Sequence, residues 1–444
     1  DAHLHITYGS AGNQKKWSWS GWVKRGTNFT TQQNLFAVGS ANNNFATLNF
    51  NTASNIVWYQ ASSGGTASYL ETDAIYRDPG AWMHILLSID TTLSTANNRN
   101  RLWVNGTEIT SFTYRTNFDQ NADGQINDDV KHYLGGTTTG LSNLEWDGYM
   151  AEVVFQDGVA HTGAGDFGEF DSDSPTIWKP KDVSGLTFGS NGFYLDFEDS
   201  SALGNDISGN NNDLTVSNIA ATDQSIDTCT NNFATINPLT PVTATLTEGN
   251  LKFANTATNH KGVAGTFGAS SGKWYCEIKT TDVSDSTHVG IIDIDQQENI
   301  ASQTTGYSSR GYSLSHERDV YNNNGIISGY TDWTGTYGDG DILGIAMDLD
   351  NDKLYFSKGG QWSAGDGTWG STTFNASTAA IPITAGYTYT FGASVYNGNS
   401  EFNFGSPPFS ISSGNADANG FGNFEYAPPS GYYALCSKNL AENG

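Results

Sequence analysis

Between Gly338 and Gly360 the chain reads GDGDILGIAMDLDNDKLYFSKGG. Leu343, Ile345, Met347 and Leu349 alternate with Ile342, Gly344, Ala346 and Asp348, the period-two pattern of a half-buried strand. Asp350-Asn351-Asp352 supplies a polar turn, Leu354-Tyr355-Phe356 returns, and Gly359-Gly360 ends the run. The segment predicts a β-hairpin.

The same texture recurs along the whole chain. Trp17-Ser18-Trp19-Ser20-Gly21-Trp22-Val23 puts Trp17, Trp19 and Val23 on one face of a strand. WMHILLSID from Trp82 to Asp90 predicts another, and Arg101-Leu102-Trp103-Val104 runs into Asn105-Gly106, a strong hairpin signal. Gly148 to Phe155 and Phe193 to Phe197 add later strands. From Ser200 to Pro238 the chain is rich in Asn, Asp, Ser and Thr and reads as an irregular connector. Leu214, Val216 and Ile219 make it too apolar to be wholly disordered, so part of it is expected to pack on what precedes it. Beyond it, Trp274, Cys276 and Ile278 share one strand face, and Val289–Ile292, Gly311–Leu314, Phe391–Val395 and Phe402–Gly405 follow. No helix longer than a turn or two is expected. The prediction is an all-β chain of two antiparallel β-sandwiches: a first domain over 1–199, a connector over 200–238 and a second domain over 239–440.

Two resemblances follow from these motifs. WSWSGWVKRG, YRDPGAWMHILLSID, NRNRLWVNGTEI and WDGYMAEVVFQDG, in that order, resemble the laminin-G or concanavalin A-like jelly roll. The wording is similar to sandwiches in tail-fibre and other virion surface proteins of marine bacteriophages. The second region, from Gly272-Lys273-Trp274 through the opening hairpin to Phe402-Asn403-Phe404-Gly405, resembles a SPRY (B30.2) domain. The resemblance implies a non-enzymatic virion surface protein, a tail fibre or appendage, that adheres to host cell-surface glycans. Its other expected partners are virion proteins and copies of itself, with a trimer favoured. The alternatives are a structural capsid or tail decoration subunit without a glycan ligand, and a secreted bacterial lectin-like adhesin or polysaccharide-cleaving enzyme.

Composition narrows the field. The 444 residues exceed one ordinary core, and 51 Gly with 12 Trp, 21 Tyr and 23 Phe suit short strands joined by turns. A formal charge of −26 repels phosphate backbones and anionic membranes, so nucleic acid is not an expected partner. No apolar run is long enough for a membrane-spanning helix, so membrane insertion is not expected either. Cys229, Cys276 and Cys436 are too few for a disulfide framework, and the latter two read as buried thiols in strands. The chain starts at Asp1 in what looks like a strand tail, His3-Leu4-His5-Ile6, whose two histidines fit a frayed end. It reads as a portion of something longer at both ends.

Candidate chemistry is sparse. Hydrolases of the concanavalin-like fold align three carboxylates on one strand face, and a retaining mechanism needs two of them about 5–5.5 Å apart. Glu145-Trp146-Asp147 with Glu152 is a near match, but Glu152 has the opposite parity. No catalytic residue is assigned. Asp119-Gln120-Asn121-Ala122-Asp123-Gly124-Gln125 resembles part of a calcium loop, but its twelfth position is Val130 where a bidentate Glu is needed. It reads first as a β-connection; if calcium binds, the ligands are Asp119, Asn121, Asp123 and the Gln125 carbonyl. Asp348, Asp350 and Asp352 read as turn chemistry. Sugars stack their C–H faces on aromatic rings beside planar amide or carboxylate acceptors. Tyr307, Tyr312, Tyr330, Trp333, Tyr337, Trp362 and Trp369 lie in polar, turn-rich sequence. Of these, Tyr312, Tyr330, Trp333, Tyr337 and Trp369 are the expected glycan platform.

Overall fold

The computed structural model describes residues 2–27, 30–41, 43–62, 65–138, 143–240, 244–330, 336–364 and 368–444. The chain is almost entirely β and divides into two compact units, Asp1–Gln224 and Ser225–Gly444.

The first unit is built of two antiparallel sheets. The eight-stranded sheet runs, edge to edge, through Phe112–Thr116, Gly65–Thr72, Ile56–Ser62, Asn44–Phe50, Gln33–Ala41, Lys131–Leu134, His3–Thr7 and Thr215–Ser217. The six-stranded sheet runs through Phe193–Leu195, Gly148–Asp157, Lys16–Arg25, Met83–Asp90, Asn100–Val104 and Thr107–Glu108. Alternation decides which residues meet between them: Trp17, Trp19 and Val23 from one sheet are buried with Phe36, Leu48 and Trp58 from the other. Trp17 and Trp58 pack edge to face, 5.4 Å between centroids. The Asn105-Gly106 turn closes its hairpin with both residues at positive φ, 46° and 76°.

The far face of the six-stranded sheet is covered as well. Ala164, Phe167, Val183 and Phe188 pack on Leu86, Trp103, Val154 and Tyr194, which is why that sheet's strands are apolar at both parities. The Gly148–Asp157 strand carries a bulge between Ala151 and Val154, with Glu152 at φ 51°.

The segment read as a connector is divided between the units. Thr215–Ser217 pairs with His3–Thr7, and Leu214 enters the first core. Asp206 organises the polar run before it, accepting from the backbone N–H groups of Tyr194, Ser208 and Asn212. Phe233, Ala234 and Ile236 are buried in the second unit. Such isolated apolar anchors leave no periodic trace in a polar sequence. His3 and His5 lie on a strand paired on both edges, so the terminal strand is not frayed.

The second unit is one curled sheet, antiparallel but for the Tyr433–Ala434 strand, around two long strands, Lys273–Asp293 and Tyr389–Asn403. Register shifts between Thr280 and Asp282 and between Val283 and Ser286 bend the pair. The predicted hairpin forms, Ile342–Asp348 with Lys353–Lys358, and its Leu343, Ile345 and Met347 are buried with Trp274, Cys276 and Ile278. Cys436 is buried as expected; it follows the short Tyr433–Ala434 strand, bridges to Phe233 and precedes a helix, Ser437–Asn443. Among the described residues no helix is long and apolar enough to cross a membrane.

Candidate functional site

The eight-stranded sheet turns its inner face to Trp17 and Trp19. Its other face carries the residues of opposite parity, and these mix aromatic rings with polar side chains. On Asn44–Phe50 the inner positions are Ala46, Leu48 and Phe50, all fully buried, and the outer ones are Phe45, Thr47 and Asn49. Register brings Thr47 opposite Tyr59 and Tyr59 opposite Tyr69 in one row. The next row aligns Asn49 with Val57, Val57 with Glu71 and Glu71 with Tyr114.

The rings form a continuous tract across four strands. Phe45 and Tyr59 are 5.4 Å apart, Tyr59 and Tyr69 5.6 Å, and Tyr69 and Tyr114 6.0 Å between centroids. Beside it lies an open depression of about 460 Å³, lined by Gln32, Phe45, Thr47, Asn49, Asn51, Val57, Tyr59, Tyr69 and Leu144.

Its polar groups are pre-arranged. Asn49 donates through Nδ2 to Thr47 Oγ1 at 2.8 Å. The Asn49 side chain is only 2% exposed, yet its Oδ1 has no hydrogen-bond partner among the described residues. A buried amide oxygen left so costs on the order of 1–3 kcal/mol. Glu71 accepts from Asn51 Nδ2 at 3.2 Å and from the Tyr69 hydroxyl. Burial first, then this hydrogen bond, pushes the Tyr69 phenol far above its ordinary pKa, so it stays protonated. Rings to stack on, fixed amides and a carboxylate are the groups that grip a pyranose.

Residues 1–161 match the Laminin_G_3 family, described as the concanavalin A-like lectin/glucanases superfamily. No curated protein sequence matches the chain. Among solved structures, the SPRY domain of human HERC1 is similar at 11% identity and a TM-score of 0.29, over 38% of this chain and 96% of that one. A heptameric SAP-like pentraxin from Limulus polyphemus aligns at 12% identity and a TM-score of 0.28, over 36% and 71%. The CBM40 of a Ruminococcus gnavus IT-sialidase, solved bound to alpha2,3 sialyllactose, aligns at 19% identity and a TM-score of 0.24, over 33% and 85%. Likenesses this weak carry no argument about function.

Within the first unit, two of the near-match carboxylates have structural partners. Asp147 accepts from the backbone N–H and hydroxyl of Thr27, and Glu152 accepts from the Tyr194 hydroxyl. Burial raises the Glu152 pKa. In the calcium-like loop, Asp119 and Asn121 are exposed, Asp123 lies 3.7 Å from Lys15, and the Gln125 side chain donates to the Ala61 carbonyl. Phe118 and Ile126 anchor this loop in the core. Among the described residues no group of three or more His, Cys, Asp or Glu is placed to hold a metal.

Of the residues expected as the glycan platform, two of the described ones are core residues. Tyr312 and Tyr337 are core rings, 4% and 3% exposed, a correction to their reading as loop platforms. The Tyr337 hydroxyl reaches the carbonyls of Thr287 and Leu314, and the Tyr312 hydroxyl pairs with Thr384. A phenol whose hydroxyl meets backbone can be buried even within polar sequence. Tyr330 is half-buried and donates to the Ala380 carbonyl; Trp369 also packs on the second core. Trp333 lies outside the described residues. The Phe45–Tyr114 tract was not anticipated: its rings are far apart in sequence, and only strand register unites them.

Proposed function

We propose that this chain is a non-catalytic carbohydrate-binding surface protein whose first unit grips a glycan on the outer face of its eight-stranded sheet. The observation that carries this reading is the tract of Phe45, Tyr59, Tyr69 and Tyr114 beside the unpartnered, buried Asn49 oxygen. Its setting, in our reading, is the surface of a virion, as a fibre or appendage that adheres to host cell-surface glycans. Open, solvent-washed grooves hold sugars weakly, so several copies on one particle would supply avidity. The sequence resemblance to bacteriophage surface proteins supports that setting, and the charge of −26 fits a protein that avoids nucleic acid.

The test is binding of the purified full chain, presented multivalently, to an array of host-surface glycans. Retention of a defined glycan set, lost in Tyr59→Ala, is expected. Binding that survives Tyr59→Ala and Tyr69→Ala together would remove the groove from the account. No binding at all would leave a structural decoration subunit as the reading.

A further inference from the structure

The groove's charge pattern narrows its ligand class, given the glycan reading above. None of the nine lining residues is Lys, Arg or His. The ionisable group next to them is Glu71, held in place by Tyr69 and Asn51. Lys131 on the same sheet lies over Tyr133, and its strand is separated from the Asn44–Phe50 strand by Gln33–Ala41. A uronate, sialate or sulfate entering the depression would meet a fixed carboxylate and no cation to replace its water.

The hydrogen-bonding inventory points the same way. Asn49 Oδ1 accepts and cannot donate, and one of the two N–H groups of its amide serves Thr47. Glu71 likewise only accepts when ionised. A ligand that satisfies both must bring donors: sugar hydroxyls or an acetamido N–H. The acidic group itself brings acceptors alone, so it can serve neither the Asn49 oxygen nor Glu71.

The tract also has a length. Its rings stand on four adjacent strands spaced about 4.7–4.9 Å apart, so it extends well beyond one ring. We propose that the groove selects an uncharged, hydroxyl-bearing oligosaccharide segment lying across the strands, with one donor on Asn49 Oδ1, and rejects acidic glycans.

Affinity gel electrophoresis of the full chain tests this, with laminarin, xyloglucan and galactan as neutral probes and alginate and carrageenan as acidic ones. At least one neutral polysaccharide is expected to retard the chain, and the acidic ones are not. Asn49→Leu is expected to weaken that retardation at least tenfold, with an unchanged circular dichroism spectrum. Tyr59→Ala is the second variant, should Asn49→Leu fail to fold. Retardation by alginate or carrageenan that is lost in Tyr59→Ala would overturn the selectivity while leaving the glycan site standing. Retardation by no polysaccharide would overturn the glycan reading itself, and the selectivity with it.

Discussion

Tyr59 and Tyr69 face each other across two hydrogen-bonded strands, their rings edge to face at 85° with centroids 5.6 Å apart. Both are part-exposed, whereas Trp17, Trp19 and Trp58 of the same unit are wholly buried. Removing one of the pair takes away stacking surface without opening the core. Tyr59→Ala is expected to weaken glycan binding about tenfold, roughly 1.4 kcal/mol. The melting temperature should stay within a few degrees of the parent by calorimetry.

Thr47 and Asn49 form a polar pair whose cost falls on the free protein, because Asn49 Oδ1 is unpartnered. Replacing both by apolar residues of similar size removes the orphan along with its neighbour. The double variant Thr47→Val, Asn49→Leu is expected to melt at or above the parent temperature while losing glycan binding. A melting temperature lowered by many degrees would show that the pair is structural.

Gly106 sits at φ 76°, and an added Cβ would run into the Trp178 ring. Gly106→Ala therefore combines a left-handed strain with a clash and is expected to cost about 1–3 kcal/mol in chemical denaturation. An unchanged midpoint would mean that Trp178 yields freely.

In the second unit Glu277 accepts from the backbone N–H groups of Glu425 and Tyr426, from Asn403 Nδ2 and from the Tyr275 hydroxyl. Burial outweighs these four donors and raises its pKa to about 7 from the ordinary 4.5. A raised carboxyl pKa means that the folded state holds the proton more tightly. The stabilisation is full below pH 4.5, declines as the pH climbs to 7, and is gone above. The second unit should thus be steadier at pH 5 than at pH 8, by about 3 kcal/mol. Urea midpoints across that range would check it: Glu277→Gln should flatten the slope, and an identical slope in both proteins would assign the pH dependence elsewhere.

Calcium is expected to leave the first unit indifferent. Asp123 faces Lys15, and Phe118 and Ile126 already anchor the loop. Melting curves with calcium and with chelator should coincide. A calcium-dependent rise would restore Asp119, Asn121, Asp123 and the Gln125 carbonyl as ligands.

How far the sequence foretold this molecule differs between fold and site. Strict alternation around Trp17, Trp274 and Ile345, and the Asn105-Gly106 turn, announced the strands because the period of a strand and the chemistry of its turns are local. The division at Gln224 was hidden, since Leu214 and Phe233 are single anchors in polar sequence. The groove was hidden for a related reason: Thr47, Asn49 and Tyr59 read as ordinary outward positions until register sets them side by side. Tyr312 and Tyr337 misled in the opposite sense, because polar neighbours reveal neither the carbonyls of Thr287 and Leu314 that meet the Tyr337 hydroxyl nor the Thr384 hydroxyl and N–H that meet the Tyr312 hydroxyl.

The central claim is that sugar binds on the outer face of the first unit. A crystal structure of the full chain soaked with an oligosaccharide that binds in solution tests it most directly. The expected result is a sugar ring against Tyr59 and Tyr69, with a hydroxyl or amide donor on Asn49 Oδ1. Sugar bound instead at Tyr330 and Trp369 in the second unit, with the groove empty, would contradict it.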